Sequence, residues 1–373
     1  MNHAVPAAPN KVGAISIPGH LTAPDAVGRP GRTDTDSAVR KRVLVLGASG
    51  FIGERLVAAL AASDWAIPLA ASRRGTTRSL GTDALQLDTR DAGAVRNALQ
   101  GVDAVVNCVA GDNDAIIAGA RVLFSCCAQL APPPRVVHLS TMMVYGTATG
   151  TVDETAPLRG DWDDYSAAKV AAEGLARQCA SVVILRPGIV YGPDSPIWTQ
   201  RIGHWLLEGR LGELGPAGEG CCNLVHVDDV VAATCVALRL DAVAGEAFNL
   251  SLPSPPSWNA YFRQYASALD TPVRSVSRSR LQWERWVLAA PLKFAEILTR
   301  AAGLGWRPPA PIRPWLLRLC GHPLRLEVGK AERLLGMRWK PLDEGLRECA
   351  GSLRGCEAQA FGKALAPRRG RQP

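Results

Sequence analysis

No stretch of about 18 uncharged apolar residues occurs in the 373-residue chain, which argues against a classical membrane-spanning helix. A basic start followed by an apolar segment is also missing, so a secretory signal is not expected. The ten cysteines contain no C-x-x-C pair, and the adjacent pairs Cys126-Cys127 and Cys221-Cys222 cannot bite one zinc ion with ordinary geometry. No metal is therefore expected. A chain this long needs no disulfide framework, so the thiols read as free groups in a reducing cytosol. No nucleic-acid module signature and no internal repeat are found, and nucleic acid is not an expected partner.

Hydrophobic residues make up 47% and charged residues 20%, a balance that excludes a wholly disordered chain. The net charge of +8 is unevenly spread: +3 over 1–42, −6 over 43–269 and +11 over 270–373. The basicity thus belongs to the C-terminal third.

Residues 1–40 are rich in Pro, Gly, Ala, Asp and Thr without apolar periodicity and read as a disordered tail. Order is expected from Arg42. Val43-Leu44-Val45-Leu46 is wholly apolar and ends in glycine, as a strand buried on both faces of a parallel sheet does. Helices near 51–62, 92–99, 115–130 and 165–178 then alternate with strands near 66–71, 104–109, 135–139 and 182–185. This alternation specifies βαβ units and an α/β fold with a doubly wound parallel sheet over 41–190. After Pro187 the pattern loosens, with helices near 197–209, 228–240 and 258–269 and a strand returning at 247–250. Residues 191–345 read as a smaller substrate-binding region, and 346–373 as a basic tail.

Gly47-Ala48-Ser49-Gly50-Phe51-Ile52-Gly53 follows the first strand and opens the first helix. Glycine lets the backbone approach a pyrophosphate, and the helix N-terminus offers N–H groups to it. NAD binding normally places a carboxylate at the end of the second strand; Ala71-Ser72-Arg73-Arg74 stands there instead. Two guanidiniums suit a 2′-phosphate, so NADP is favoured over NAD, a solvated basic loop being the other reading. Asp88 and Thr89 follow a third strand at the depth of an adenine, and Ala110 closes the fourth strand.

Tyr165 and Lys169 lie four apart on one helical face. A phenol near pKa ~10 is a poor base at neutral pH, and a nearby ammonium favours its phenolate. Thr141, at the end of the strand Arg135–Leu139, is placed to hydrogen-bond a substrate oxygen while Tyr165 moves the proton; the plainer role is a capping hydroxyl.

The Gly47–Gly53 fingerprint, the segment Ser140-Thr141-Met142-Met143-Val144-Tyr145-Gly146 and Tyr165-x-x-x-Lys169 resemble the extended short-chain dehydrogenases/reductases. The segments at 185–193, 225–230 and 330–336 extend the resemblance to the NAD-dependent epimerase/dehydratase branch. It implies a Rossmann fold, a bound nicotinamide dinucleotide, Thr141, Tyr165 and Lys169 as the catalytic set, and Pro187-Gly188 beside the nicotinamide. A homodimer is left open. Nucleotide-sugar members usually carry an arginine that holds a diphosphate where this chain has Cys222. A sugar-type substrate is expected on family breadth, with an apolar, hydroxysteroid-like ketone and a non-catalytic dinucleotide sensor as alternatives.

Five of the ten tryptophans, at 283, 286, 306, 315 and 339, lie in the basic C-terminal third. A Trp-bearing basic amphipathic helix can lie at a membrane interface, so peripheral membrane contact is one reading; a helical lid packed on the substrate region is the other.

Overall fold

The computed structural model describes residues 40–75, 84–276, 312 and 314–365, with side chains described as far as 355. Its centre is a seven-stranded, wholly parallel sheet in the order β10-β7-β5-β4-β1-β2-β3. β1 (Lys41–Leu46), β4 (Ala104–Asn107), β5 (Arg135–Leu139) and β7 (Val182–Pro187) form the middle, with β2 (Ala66–Ser72) and β3 (Leu85–Gln86) on one side and β10 (Ala247–Leu250) on the other. Val43 to Leu46 have at most 1% exposure, as strands covered on both faces must. One covering layer includes α1 (Phe51–Ala61) and α6 (Val227–Arg239), around Val43, Val45, Leu56 and Val230. The other includes α2 (Ala92–Ala98), α3 (Asn113–Cys127) and α4 (Asp164–Ala176), around Leu44, Leu46, Leu123 and Ala172. This is the Rossmann-type arrangement that the alternation of apolar runs and amphipathic stretches predicts.

A third cluster joins the loop after β5 to the C-terminal half. It contains Tyr145, Tyr191, Trp205, Cys222, Trp258, Tyr261, Leu316 and Leu324. Two small parallel sheets brace it: β8 (Ile189–Tyr191) with β9 (Leu224–His226), and β6 (Gly150–Val152) with β11 (Leu324–Leu326). The described residues from Arg40 onward fall within one compact unit.

The structure corrects the C-terminal boundary. Residues 346–365, expected within a basic tail, belong to helix α10 (Leu342–Leu365), which follows α7 (Trp258–Ala268), α8 (Pro314–Cys320) and α9 (Gly329–Leu335). Leu346, Cys349, Ala350 and Leu353 are buried, at the i, i+3, i+4, i+7 spacing of a helix that docks one face. Polar contacts add to this docking. Lys340 Nζ reaches Asp228 at 3.1 Å and Glu348 at 2.8 Å, and Arg55 Nη1 meets Asp228 at 3.2 Å. Residues 1–39, the basic segment 277–311 and 366–373 lie outside the described residues, and with them Trp283, Trp286 and Trp306. Trp315 and Trp339 are partly buried against the apolar clusters. No described helix is long and apolar enough to cross a membrane.

Candidate active site

The strand order reverses at β1, flanked by β2 and β4, and ligands of open α/β sheets bind outside the carboxyl ends of the strands at such a point. A cavity of about 510 Å³ opens there. Gly47, Ser49 and Gly50 form its floor; Ser72, Arg73 and Arg74 come from the end of β2, Asp88 and Thr89 from beyond β3, and Ala110 from beyond β4. Nine of the sixteen residues expected at the cofactor, a set that includes Tyr165 and Lys169, therefore surround one cavity. Glu54, Cys108 and Asp112 also line it, and the spacing of the motif did not point to them.

The glycine turn is shaped by close approach. A Cβ on Gly53 would stand 2.3 Å from the Gly47 carbonyl oxygen, so α1 can rest on the turn only without one. Gly47 has φ +79°, which glycine adopts without strain. No side chain caps the first turn of α1, leaving its N–H groups to an external anion. These features fit the pyrophosphate of a dinucleotide. Ala71 is buried and its carbonyl accepts from Gly47 N and Ala48 N at 3.1 and 3.0 Å. Arg73 and Arg74 are exposed at the rim, and Ser72 is buried. Asp88 is gripped by Arg90, with Nη2–Oδ2 at 2.6 Å and Nε–Oδ1 at 3.0 Å. Arg90's hydrogen bonds hold the Asp88 carboxyl down at about 2, with Arg73 adding to the effect. Thr89 is buried against α3, where a Cβ on Gly119 would come within 2.5 Å of its Oγ1.

The other proposed cofactor residues stand outside that cavity. Phe51 lies under the Arg55 guanidinium at 5.8 Å, and Ile52 packs on the core. Pro187 ends β7, and Gly188 is needed for packing because its Cβ would stand 2.0 Å from the Asn223 carbonyl oxygen.

Thr141, Tyr165 and Lys169 converge beyond the end of β5. Thr141 accepts from Met143 N at 3.3 Å, capping the short helix Met142–Tyr145, and its side chain also hydrogen-bonds Tyr165. The helix carrying Tyr165 and Lys169 starts in a capping box in which Asp163 accepts from Ser166 N at 2.8 Å. Lys169 is 2% exposed, and its Nζ donates to Val109 O at 3.2 Å and Leu139 O at 3.0 Å. Burial pushes the Lys169 ammonium down to about 8, against the opposing pull of Cys108 and Glu173. The Tyr165 phenol is pushed up to about 12 by burial, with the Thr141 hydrogen bond working the other way. The expected lowering of Tyr165 by Lys169 is thus not the arrangement found. Nζ lies 5.9 Å from the ring centroid and is engaged by carbonyls.

Behind the helix lies a buried network that the sequence did not reveal. Arg186 and Glu173 pair through Nε–Oε1 at 3.0 Å and Nη2–Oε2 at 2.8 Å, both with fully buried side chains. Arg186 Nη1 also donates to Tyr145 Oη at 2.8 Å, and Tyr145 donates to Asn249 Oδ1 at 2.7 Å. This ties α4 to β7 and β10 one turn beyond Lys169. Cys222 is fully buried, and burial pushes its thiol well above the ordinary range. Asn223 beside it donates to Leu324 O at 2.8 Å and accepts from Leu326 N at 2.9 Å.

A profile of the NAD-dependent epimerase/dehydratase family matches residues 43–251, more than half of the chain. The chain belongs to the NAD-dependent epimerase/dehydratase family. Among curated proteins, YeeZ of Escherichia coli K12 is 31% identical over 137 residues, 36% of this chain and 46% of that protein. The chain thus spans about half the length of that relative. The epimerase family protein SDR39U1 of Bos taurus is 29% identical over 257 residues, 62% of this chain and 82% of that protein. Among solved structures, the UDP-glucuronic acid 4-epimerase of Bacillus cereus, in complex with UDP-glucuronic acid and NAD, superposes with a TM-score of 0.64. Its identity is 20%, covering 84% of this chain and 99% of that one, a likeness of fold. This epimerase/dehydratase chain keeps the glycine turn and the Tyr165–Lys169 pair within the matched stretch.

Proposed function

We propose that the chain is an NAD(P)-dependent oxidoreductase or epimerase that acts at a carbinol or ketone carbon, with NADP as the preferred cofactor. The observation that carries the reading is the convergence of Thr141, Tyr165 and Lys169 beside the strand ends that border the glycine-floored cavity. Gly47, Ser49, Gly50 and Gly53 would hold the pyrophosphate, with Phe51 and Ile52 contributing backbone N–H groups of the first turn of α1; Asp88, Thr89 and Ala110 would border the adenine side, and Pro187 and Gly188 the nicotinamide side. A bound nicotinamide supplies or accepts the hydride. Thr141 orients the substrate oxygen and Tyr165 takes or gives the hydroxyl proton, while Lys169 brings positive charge to the same edge of the sheet.

A sugar-type substrate is the first reading, in keeping with the family and with the nucleotide sugar held by the Bacillus cereus enzyme. A second reading, an apolar ketone, is favoured by Cys222: a buried neutral thiol stands where a diphosphate would need a cation. Thermal shift in excess cofactor with a panel of nucleotide sugars and sterols separates the two, because only a ligand of the native state raises the transition. Stabilisation by neither class, with turnover undetected, favours a dinucleotide sensor. The reading of peripheral membrane contact rests on the +11 charge of 270–373 and on the five tryptophans at 283, 286, 306, 315 and 339, of which Trp315 and Trp339 are partly buried. Sedimentation with anionic vesicles at low salt tests it, and protein left in the supernatant rejects it.

A further inference from the structure

We propose that Asn107 and His138 are positioning residues that anchor Val109, whose carbonyl takes the Lys169 ammonium, and so fix the lysine of the proton-transfer site. The proposal rests on the reading of Tyr165 and Lys169 given above. Asn107 ends β4 and stands in register with His138 on β5; the two are 5% and 2% exposed. Asn107 Oδ1 accepts from Val109 N at 3.1 Å, which sets the orientation of the amide. Its Nδ2 must then donate to His138 Nδ1, 3.2 Å away, so Nδ1 carries a lone pair and the ring proton sits on Nε2. That Nε2 is buried without a hydrogen-bond partner, a cost that a hydrocarbon side chain would not carry. What the histidine provides in return is the Nδ1 acceptor.

Burial holds the His138 imidazole down at about 3, so the acceptor persists through the neutral range. The Asn107 bond ties Val109 N to the end of β4 and so anchors residue 109, whose carbonyl, in the next peptide unit, meets Lys169 Nζ at 3.2 Å. Leu139 O, one residue beyond His138, takes the same ammonium at 3.0 Å. The charged and titratable groups facing Lys169 are Cys108, Glu173, His138 and the Tyr165 ring, and Glu173 is itself paired with Arg186. The carbonyl of Val109 is therefore half of what selects the lysine's place, and the Asn107–His138 pair anchors the residue that bears it.

The test is a pH titration of the lysine Nζ resonances in the full chain labelled with 15N-lysine, with Lys169 assigned by its loss in Lys169→Arg. Losing a carbonyl acceptor disfavours the ammonium, so His138→Leu should lower the Lys169 midpoint by about one pH unit. His138→Asn, whose Oδ1 can stand near the Nδ1 position, should restore it. Asn107→Ala removes the other member and should give the same downward shift, so it decides the matter if His138→Leu does not fold. A lowered melting temperature with an unchanged or raised Lys169 midpoint would mean that the pair only packs, and overturns the proposal. The midpoint is read without substrate or cofactor, so this outcome is separate from whether Tyr165→Phe loses turnover.

Discussion

Replacing both Arg73 and Arg74 by alanine should erase a preference for NADPH over NADH. Both side chains line the cavity just beyond Ala71, where an NAD-binding chain would present an acid to the ribose hydroxyls. A charge-assisted hydrogen bond to phosphate in a protected site contributes about 1.5–3 kcal/mol. These guanidiniums are exposed, so screening by solvent reduces each to about 1 kcal/mol. Together they amount to about 2 kcal/mol, or about 30-fold in affinity. Three carboxylates that line the same cavity, from Glu54, Asp88 and Asp112, oppose a phosphate. The bidentate grip of Arg90 offsets Asp88, so two arginines face two carboxylates and the figure of about 30-fold is an upper bound. Titrating both reduced cofactors by fluorescence energy transfer from tryptophan gives the two dissociation constants. Their ratio should shrink as salt rises, because the exposed charges are screened over about 8 Å at physiological ionic strength. Tighter NADH binding by the unmutated chain would refute the reasoning, as would a ratio indifferent to both salt and the double substitution.

Tyr165→Phe should keep cofactor affinity and lose turnover by about 100-fold or more, since the proton-transferring hydroxyl alone is removed; a parallel loss of affinity in the same titration would mark the ring as structural. Gly53→Ala should weaken dinucleotide binding and lower stability together, because the new methyl would meet the Gly47 carbonyl at 2.3 Å, and isothermal titration with chemical unfolding reads both. Cys222→Arg should destabilise by about 4 kcal/mol or more, as an unpaired charge enters a fully buried site; unchanged unfolding would show that the slot opens to a ligand. The acid limb of stability should be set by buried groups: desolvation holds the His138 and His226 imidazoles down at about 3, so they remain neutral in the fold while the unfolded chain takes up protons near 6.5. Each therefore removes stability as pH falls from about 6.5 towards 3, at about 1.4 kcal/mol per pH unit. Asp229 acts the other way, because burial raises its carboxyl to about 7 and the fold takes up its proton first. Asp229→Asn should thus steepen the loss between about pH 7 and 4, and denaturant midpoints with an unaltered slope there would contradict this assignment.

The central sheet was legible because its strands are short apolar runs between glycine-marked turns, and 135–139 and 247–250 have the boundaries that the sequence suggests. The three-residue strands at 150–152, 224–226 and 324–326 carry no such pattern, and 189–191, though apolar and flanked by glycines, is too short to stand out. They exist because distant segments meet: Leu324–Leu326 pairs with Gly150–Val152, and Asn223 locks that pairing with its amide. Helix α10 was missed because Gly345, Gly351, Gly355 and the following basic residues resemble a tail. The stripe Leu346, Cys349, Ala350 and Leu353 was the available signal. For the candidate site, spacing identified the turn and the Tyr–Lys pair, since both are local. Arg186–Glu173 and Asn107–His138 depend on which strands are neighbours, and no one-dimensional pattern states that.

The two halves of the site differ in what a substitution can change. The proposed cofactor half is made largely of backbone, in a glycine turn and three strand ends, so side-chain changes at its rim should alter dinucleotide choice without dismantling the cradle. The catalytic half is made of side chains held by other side chains: Tyr165 by Thr141, Lys169 by two carbonyls, and their helix by the Arg186–Glu173 pair. The substrate side adds a third constraint. Cys222 and Asn223 are committed to the junction of β9, β11 and α7, where Cys222 N donates to Pro256 O at 2.9 Å and Asn223 spans to Leu324 and Leu326. The backbone bond would survive substitution, but the side chain of 222 is fully buried, so a cation placed there would lack solvent. Specificity for an anionic substrate would therefore have to arise from elements other than the one that the family ordinarily uses, whereas an uncharged substrate asks nothing of this position.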